Sequence, residues 1–126
     1  MKITPMAVQG QIRRMVRRIV KKFNPDRVIL FGSHARNQAR PDSDIDLLIV
    51  MPVEGSVWEK SLEVRRVLYG IPVPKDVIIS TPEEFEWRKE IVGTIEYPAW
   101  REGKTLYVRP GKHRIHRPRM GLQGRK

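Results

Sequence analysis

Two carboxylates interrupt one of the most apolar stretches of the chain, Ser43-Asp44-Ile45-Asp46-Leu47-Leu48-Ile49-Val50. In a strand, successive side chains point to opposite faces, so Asp44, Asp46, Leu48 and Val50 share one face and Ile45, Leu47 and Ile49 the other. Two like charges ~4 Å apart repel by about 4 kcal/mol at an effective dielectric near 20. A third carboxylate beside them would raise that cost. A hard divalent cation removes it, because Mg²⁺ prefers carboxylate and phosphate oxygens and keeps several of its waters. Taken alone, an Asp-x-Asp pair is more often a solvated edge or the start of a turn. Its meaning depends on what the chain brings beside it.

Ahead of it, Val28-Ile29-Leu30-Phe31 is a continuous apolar run bounded by Pro25 and Gly32, which suits a strand covered on both faces. Gly32-Ser33-His34-Ala35-Arg36 follows as a turn, and Asn37 to Ser43 is too short for a parallel crossover, so the strand Asp44–Val50 should lie antiparallel to the first. After the loop Pro52–Gly55, Ser56 is placed to cap a helix that runs to Tyr69 and stops at Gly70, with Val57, Val64 and Leu68 as its ridge. The run Val73–Ser80 then reads as a third strand, parallel to the second across that helix. Neighbouring strands lie about 4.8 Å apart, so Asp76 is expected beside Asp44 and Asp46.

The flanking segments read as support. Thr4-Pro5 suits a helix start, and Val8, Ile12, Met15, Val16, Ile19, Val20 and Phe23 recur at spacings of three and four up to Asn24-Pro25. Arg13, Arg14, Arg17, Arg18, Lys21 and Lys22 fill much of the rest of that helix, either as a solvated face or as a basic wall toward phosphates or an acidic partner. Thr81-Pro82-Glu83-Glu84 is a capping box, with Phe85, Arg88 and Val92 expected on one face beyond it. Pro98 is expected to interrupt any helix between Thr94 and Glu102. Lys104–Val108 alternates well enough for a short edge strand. The fold class is therefore mixed α/β (α+β): a small mixed sheet flanked by helices.

At 126 residues and 14.8 kDa there is room for one core and little besides. The net charge of +11 is unevenly placed. Residues 109–126 hold seven Lys/Arg and no acid, leaving eighteen basic against fourteen acidic side chains, a balance of +4, in residues 1–108. We read 1–108 as the domain and 109–126 as a basic, disordered tail. The tail is either an arm for nucleic acid or an acidic partner, or a solubilising terminus. With no Cys there is no disulfide, thiolate metal site or thiol nucleophile, and the three His residues show no ligand spacing. No stretch approaches the roughly 20 apolar residues of a membrane span. No membrane association is expected, and a cytoplasmic location is.

Gly32-Ser33 supplies the complement of the acids. Glycine lets backbone amides approach a phosphate, the Ser33 hydroxyl adds a donor, and Arg36, one turn on, is placed to neutralise charge. Two ions roughly 3.5–4 Å apart at such acids would clamp the attacking and leaving oxygens of a phosphoryl displacement.

Gly32-Ser33-His34-Ala35-Arg36, Ser43-Asp44-Ile45-Asp46-Leu47-Leu48-Ile49-Val50, Lys75-Asp76-Val77-Ile78-Ile79-Ser80 and Thr81-Pro82-Glu83-Glu84-Phe85 together resemble the polymerase-β-type nucleotidyltransferase superfamily, specifically its minimal nucleotidyltransferase branch. The resemblance covers about Asp26 to Phe85, and more loosely the segment ending Arg101–Tyr107. It implies a polymerase-β-like fold, with Asp44 and Asp46 binding two Mg²⁺ ions (Mn²⁺ being the alternative). It implies that Asp76 binds the catalytic ion and assists deprotonation of an acceptor hydroxyl, and that Gly32 and Ser33 hold a nucleoside triphosphate. It further implies an antitoxin role beside a helical HEPN-family partner, by transfer of AMP from ATP to a partner hydroxyl or by occlusion without catalysis. Homo- or hetero-oligomers fit either route. His34 stands at a variable position of such proteins, where it either touches a phosphate or lies solvated.

Overall fold

The computed structural model describes residues 5–40 and 42–111. Their elements follow in the order α1 (Pro5–Phe23), β1 (Arg27–Phe31), β2 (Ile45–Val50), α2 (Val57–Val67), β3 (Lys75–Ser80), α3 (Pro82–Arg88), α4 (Glu96–Glu102) and β4 (Lys104–Val108). The strands form a single sheet in the order β3-β2-β1-β4. β1 runs antiparallel to both β2 and β4, while β2 and β3 are parallel, as a helical crossover requires. The mixed sheet, the edge position of β4 and the antiparallel β1–β2 pair match the expectations from the sequence.

Alternation along the central strands sorts the apolar residues into two cores. On one face Val28, Leu30, Ile45, Leu47, Ile49, Val77 and Ile79 pack with Ile12, Met15 and Ile19 of α1 and Val64 of α2. On the other, Ile29, Leu48 and Val50 pack with Phe85 of α3 and Ala99 of α4, joined by Phe31, Ile78 and Trp100. Because β1 and β2 are covered on both sides, their buried residues are consecutive rather than alternating, the pattern of an interior strand.

Helix α1 presents the expected apolar stripe, with Val8, Val16 and Phe23 packed around its three buried residues. It ends at Asn24, whose φ of 48° lies in the left-handed region that Asn tolerates. The capping role expected of Thr4 lies outside the described residues, as does all of the tail expected to be disordered except 109–111. Arg109 is described: its Nη2 stands 3.0 Å from Asp26 Oδ1, and its amide donates to the Asp26 carbonyl, fastening the end of β4 to the start of β1.

Four local readings are corrected. Helix α2 takes Ser56 as its cap, through a bond from the Glu59 amide, but it ends at Val67 with Leu68 as C-cap, short of Tyr69. Val57 is 41% exposed and takes no part in the ridge that Val64 and Leu68 form, since the first turn of α2 overhangs the core. The capping box at Thr81 and Glu84 forms as expected, but α3 stops at Arg88, so Val92 lies beyond the helix and is 76% exposed. Pro98 does not interrupt a helix. It is the third residue of α4, within the first turn, where amides have no intrahelical partner to lose.

Candidate active site

The parallel pairing of β2 with β3 aligns Ile45 with Lys75 and Asp46 with Asp76. Residues paired across strands project from the same face. The antiparallel pairing of β1 with β2 sets Phe31 against Asp46 on the other side, so Gly32 begins its turn beside the Asp46 side chain. Counting along β2, Asp46 shares its face with Leu48 and Val50, and the carboxylates therefore stand at the end of the smaller core, on the side that α3 and α4 cover. Asp44 lies one residue ahead of β2 and is exposed, Asp46 is half-buried, and the Asp76 side chain is half exposed.

The three acids are felt at Asp46. Burial pushes its carboxyl above the usual value of 3.8, and the neighbouring charges of Asp76 and then Asp44 push in the same direction, against smaller opposing influences from His34 and Arg36. The unfavourable charge inferred from the sequence is thus concentrated on the middle member.

The turn after β1 is a single helical turn, in which the Gly32 carbonyl accepts from the amides of Ala35 and Arg36 and the Ser33 carbonyl from that of Gln38. Asn37, with φ 58°, closes it. The amides at the head of such a turn, here those of Ser33 and His34, precede its hydrogen-bonding pattern. Gly32 is required twice over: its φ is 75°, and a β-carbon there would land on Asp46 Oδ2, with Asp46 Cγ only 3.2 Å away. The Gly32 turn and the middle acid are therefore in direct contact.

Two side chains tie these parts together, of which the sequence singled out His34 but not Arg65. His34 is partly buried, and its Nε2 lies 3.2 Å from the Ser43 carbonyl, linking the turn to the residue before Asp44. Arg65, on α2, places Nη2 3.4 Å from Asp76 Oδ1. The signal for it was the crossover itself, which returns the end of the helix past the start of the next strand. Lys75, adjacent to Asp76, donates to the carbonyls of Ile71 and Val73 and clips the chain where β3 begins. Arg36 places Nε 3.1 Å from Gln38 Oε1 and Nη1 3.8 Å from Glu102 at the end of α4, and its charge still acts on Asp46.

Among the described residues, no group of three or more acidic, His or Cys side chains converges closely enough to hold an ion as it stands. In chemistry, however, the donors fit a hard divalent cation: all are carboxylates, they repel one another at Asp46, and Asp76 is matched by a positive partner at 3.4 Å that an ion would replace.

A family model described as a nucleotidyltransferase domain matches residues 12–99. That span runs from α1 through Ala99 of α4 and contains the turn and all three acids. No curated protein gives a significant match. Among solved structures, a protein from Sulfolobus solfataricus assigned as a nucleotidyltransferase aligns over 86% of this chain and 93% of its own, with 25% identity and a TM-score of 0.52. A chain of a toxin-antitoxin structure with AMP-PNP aligns over 85% of this chain and 78% of its own, at 16% identity and a TM-score of 0.46. The second likeness is too loose to bear on the chemistry.

Proposed function

From the premise that the chain belongs to the nucleotidyltransferase-domain family, we propose that it is a metal-dependent enzyme moving AMP from ATP onto a hydroxyl of a partner protein. The observation that carries this reading is the placing of Asp46 between Asp76 and the Gly32 turn, one acid paired to another and pressed against a phosphate-sized loop.

In this reading Asp44, Asp46 and Asp76 would hold two Mg²⁺ ions, which supply charge neutralisation at the triphosphate and at the attacking oxygen. Ser33, through its hydroxyl and the amides at the head of its turn, grips the β- and γ-phosphates. Arg36, on the same turn, offsets negative charge on the departing pyrophosphate. Asp76, half exposed on the edge strand β3, accepts the acceptor's proton as the hydroxyl oxygen bonds to the α-phosphorus and the bond to the bridging oxygen breaks. Glu102 and Gln38 orient Arg36, and His34 holds the turn against the residue preceding Asp44.

The resemblance of the site motifs to the minimal nucleotidyltransferases points to a HEPN-family protein as acceptor and to an antitoxin role. The test is co-incubation of the two proteins with ATP labelled at the α- or the γ-phosphate. Label from the α-position should appear on the HEPN protein and label from the γ-position should not. Transfer that survives Asp44→Asn combined with Asp46→Asn would refute the mechanism. Neutralisation of the partner by that double variant, without transfer, would replace catalysis by occlusion.

A further inference from the structure

Helix α1 contains no acidic residue. Its apolar stripe is used by the core, and on the opposite side Arg13, Arg17 and Lys21 are all exposed and recur every four residues, about 6 Å apart along the axis. None of the three is in an ion pair with a described residue. Beside them run Arg14, Arg18 and Lys22. Arg18 is anchored, its Nη1 donating to the carbonyls of Val67 and Tyr69 at 3.1 Å, and so joins this basic face to the end of α2. There Leu62, Arg65, Arg66 and Tyr69 line a shallow depression, and the Tyr69 ring is left 85% exposed.

From this arrangement we propose that the outer face of α1 and the C-terminal end of α2 form a binding surface for single-stranded nucleic acid. Evenly spaced cations follow a phosphate backbone, and an exposed aromatic residue at the adjoining end of α2, beside Arg65 and Arg66, offers a stacking platform for a base. An acidic polypeptide would be attracted by the cations but would have no use for the ring. Opposed charge is limited at this surface, since Glu63 of α2 is engaged by Lys60 at 2.9 Å. The surface meets the proposed transfer site only at Arg65, which also pairs with Asp76, and the proposal does not rest on the transfer reaction.

The experiment titrates the full chain into a short, fluorescently labelled oligouridylate across a range of KCl concentrations and follows anisotropy. Wild type should bind with an affinity that falls steeply with salt. Arg13→Gln, Arg17→Gln and Lys21→Gln in one chain should reduce the slope of log K against log salt by about 2, from ~0.7 per phosphate contact, and weaken binding at low salt at least about tenfold. Tyr69→Ala should weaken it about fivefold or more with the slope unchanged. Circular dichroism should report the same helix content in all three proteins, because each altered side chain is exposed. A triple variant that binds like wild type would overturn the proposal by placing the affinity elsewhere, for example in residues 109–126. Indifference to Tyr69→Ala, or equal competition by oligoglutamate, would overturn it in favour of an acidic protein.

Discussion

Gly32 shows how much one position carries. Its positive φ and its contact with Asp46 Oδ2 are independent reasons to exclude a side chain. Gly32→Ala should therefore cost more than the roughly 1 kcal/mol of an ordinary left-handed Gly→Ala change, as a lowered midpoint in urea. It should also push the Asp46 carboxylate from its place, so that nucleotide binding weakens beyond what the loss of stability explains. Asp46 carries an opposite expectation. Its folded-state pKa is raised above 3.8, so between 3.8 and the folded value the folded protein keeps a proton that the unfolded chain has released, and stability falls as pH rises through that window. Asp46→Asn removes this penalty. In chelator at neutral pH the variant should melt higher than wild type, by a few degrees at most because water screens a partly exposed carboxyl. The difference should vanish as pH is lowered toward 3.8. A variant less stable than wild type at neutral pH would mean that Asp46 contributes to the fold rather than opposing it.

At the level of elements, the strands were legible because burial on both faces leaves unbroken apolar runs, and α1 because its stripe is long. The helices α3 and α4 were less so. A seven-residue helix offers barely two turns of periodicity, so Val92 was drawn into a face that ends before it. Pro98 looked disruptive because its effect depends on position within the helix, which a weak pattern does not reveal. Since Pro98 sits in the first turn of α4, Pro98→Ala should leave helicity intact and cost no more than about 1 kcal/mol, through a looser unfolded chain. Gly103 behaves differently. Its φ of −78° suits any residue, yet a β-carbon would run into the Ala99 carbonyl and lie 2.7 Å from the Leu30 carbonyl and 2.8 Å from Ile29 Cγ2. This is where α4 meets β1, so Gly103→Ala should destabilise by about 1–3 kcal/mol. The change would act through the junction that holds Glu102 near Arg36, and thermal unfolding of the two variants side by side checks both predictions.

Across the whole molecule, the candidate site was readable as far as backbone register decides it. An antiparallel pair followed by a parallel crossover puts the end of β1, where Gly32 follows, beside Asp46 and Asp76 on the neighbouring strands, whatever their rotamers. The partners of Arg65 and His34 were not readable, because the crossover and the turn bring segments together without saying which side chain meets which group. The consequence is an assembly in which the acids are brought together by the fold but repel within it, with Arg65 attached to the outermost acid at a half-exposed ion pair worth little by itself. Such a site should gain stability from ligands rather than lend it. Mg²⁺ with a non-hydrolysable ATP analogue at about 100 times its dissociation constant should stabilise the wild type by about 2.7 kcal/mol, a rise in Tm on the order of 10 °C for a domain of this size. The analogue alone should do much less, because its phosphates then meet three uncompensated carboxylates. In Asp44→Asn combined with Asp46→Asn the difference should disappear: the analogue binds as well without metal as with it, and Mg²⁺ adds nothing to the melting temperature. A wild type whose Tm responds equally to the analogue with and without Mg²⁺ would show that the three acids do not act through a cation.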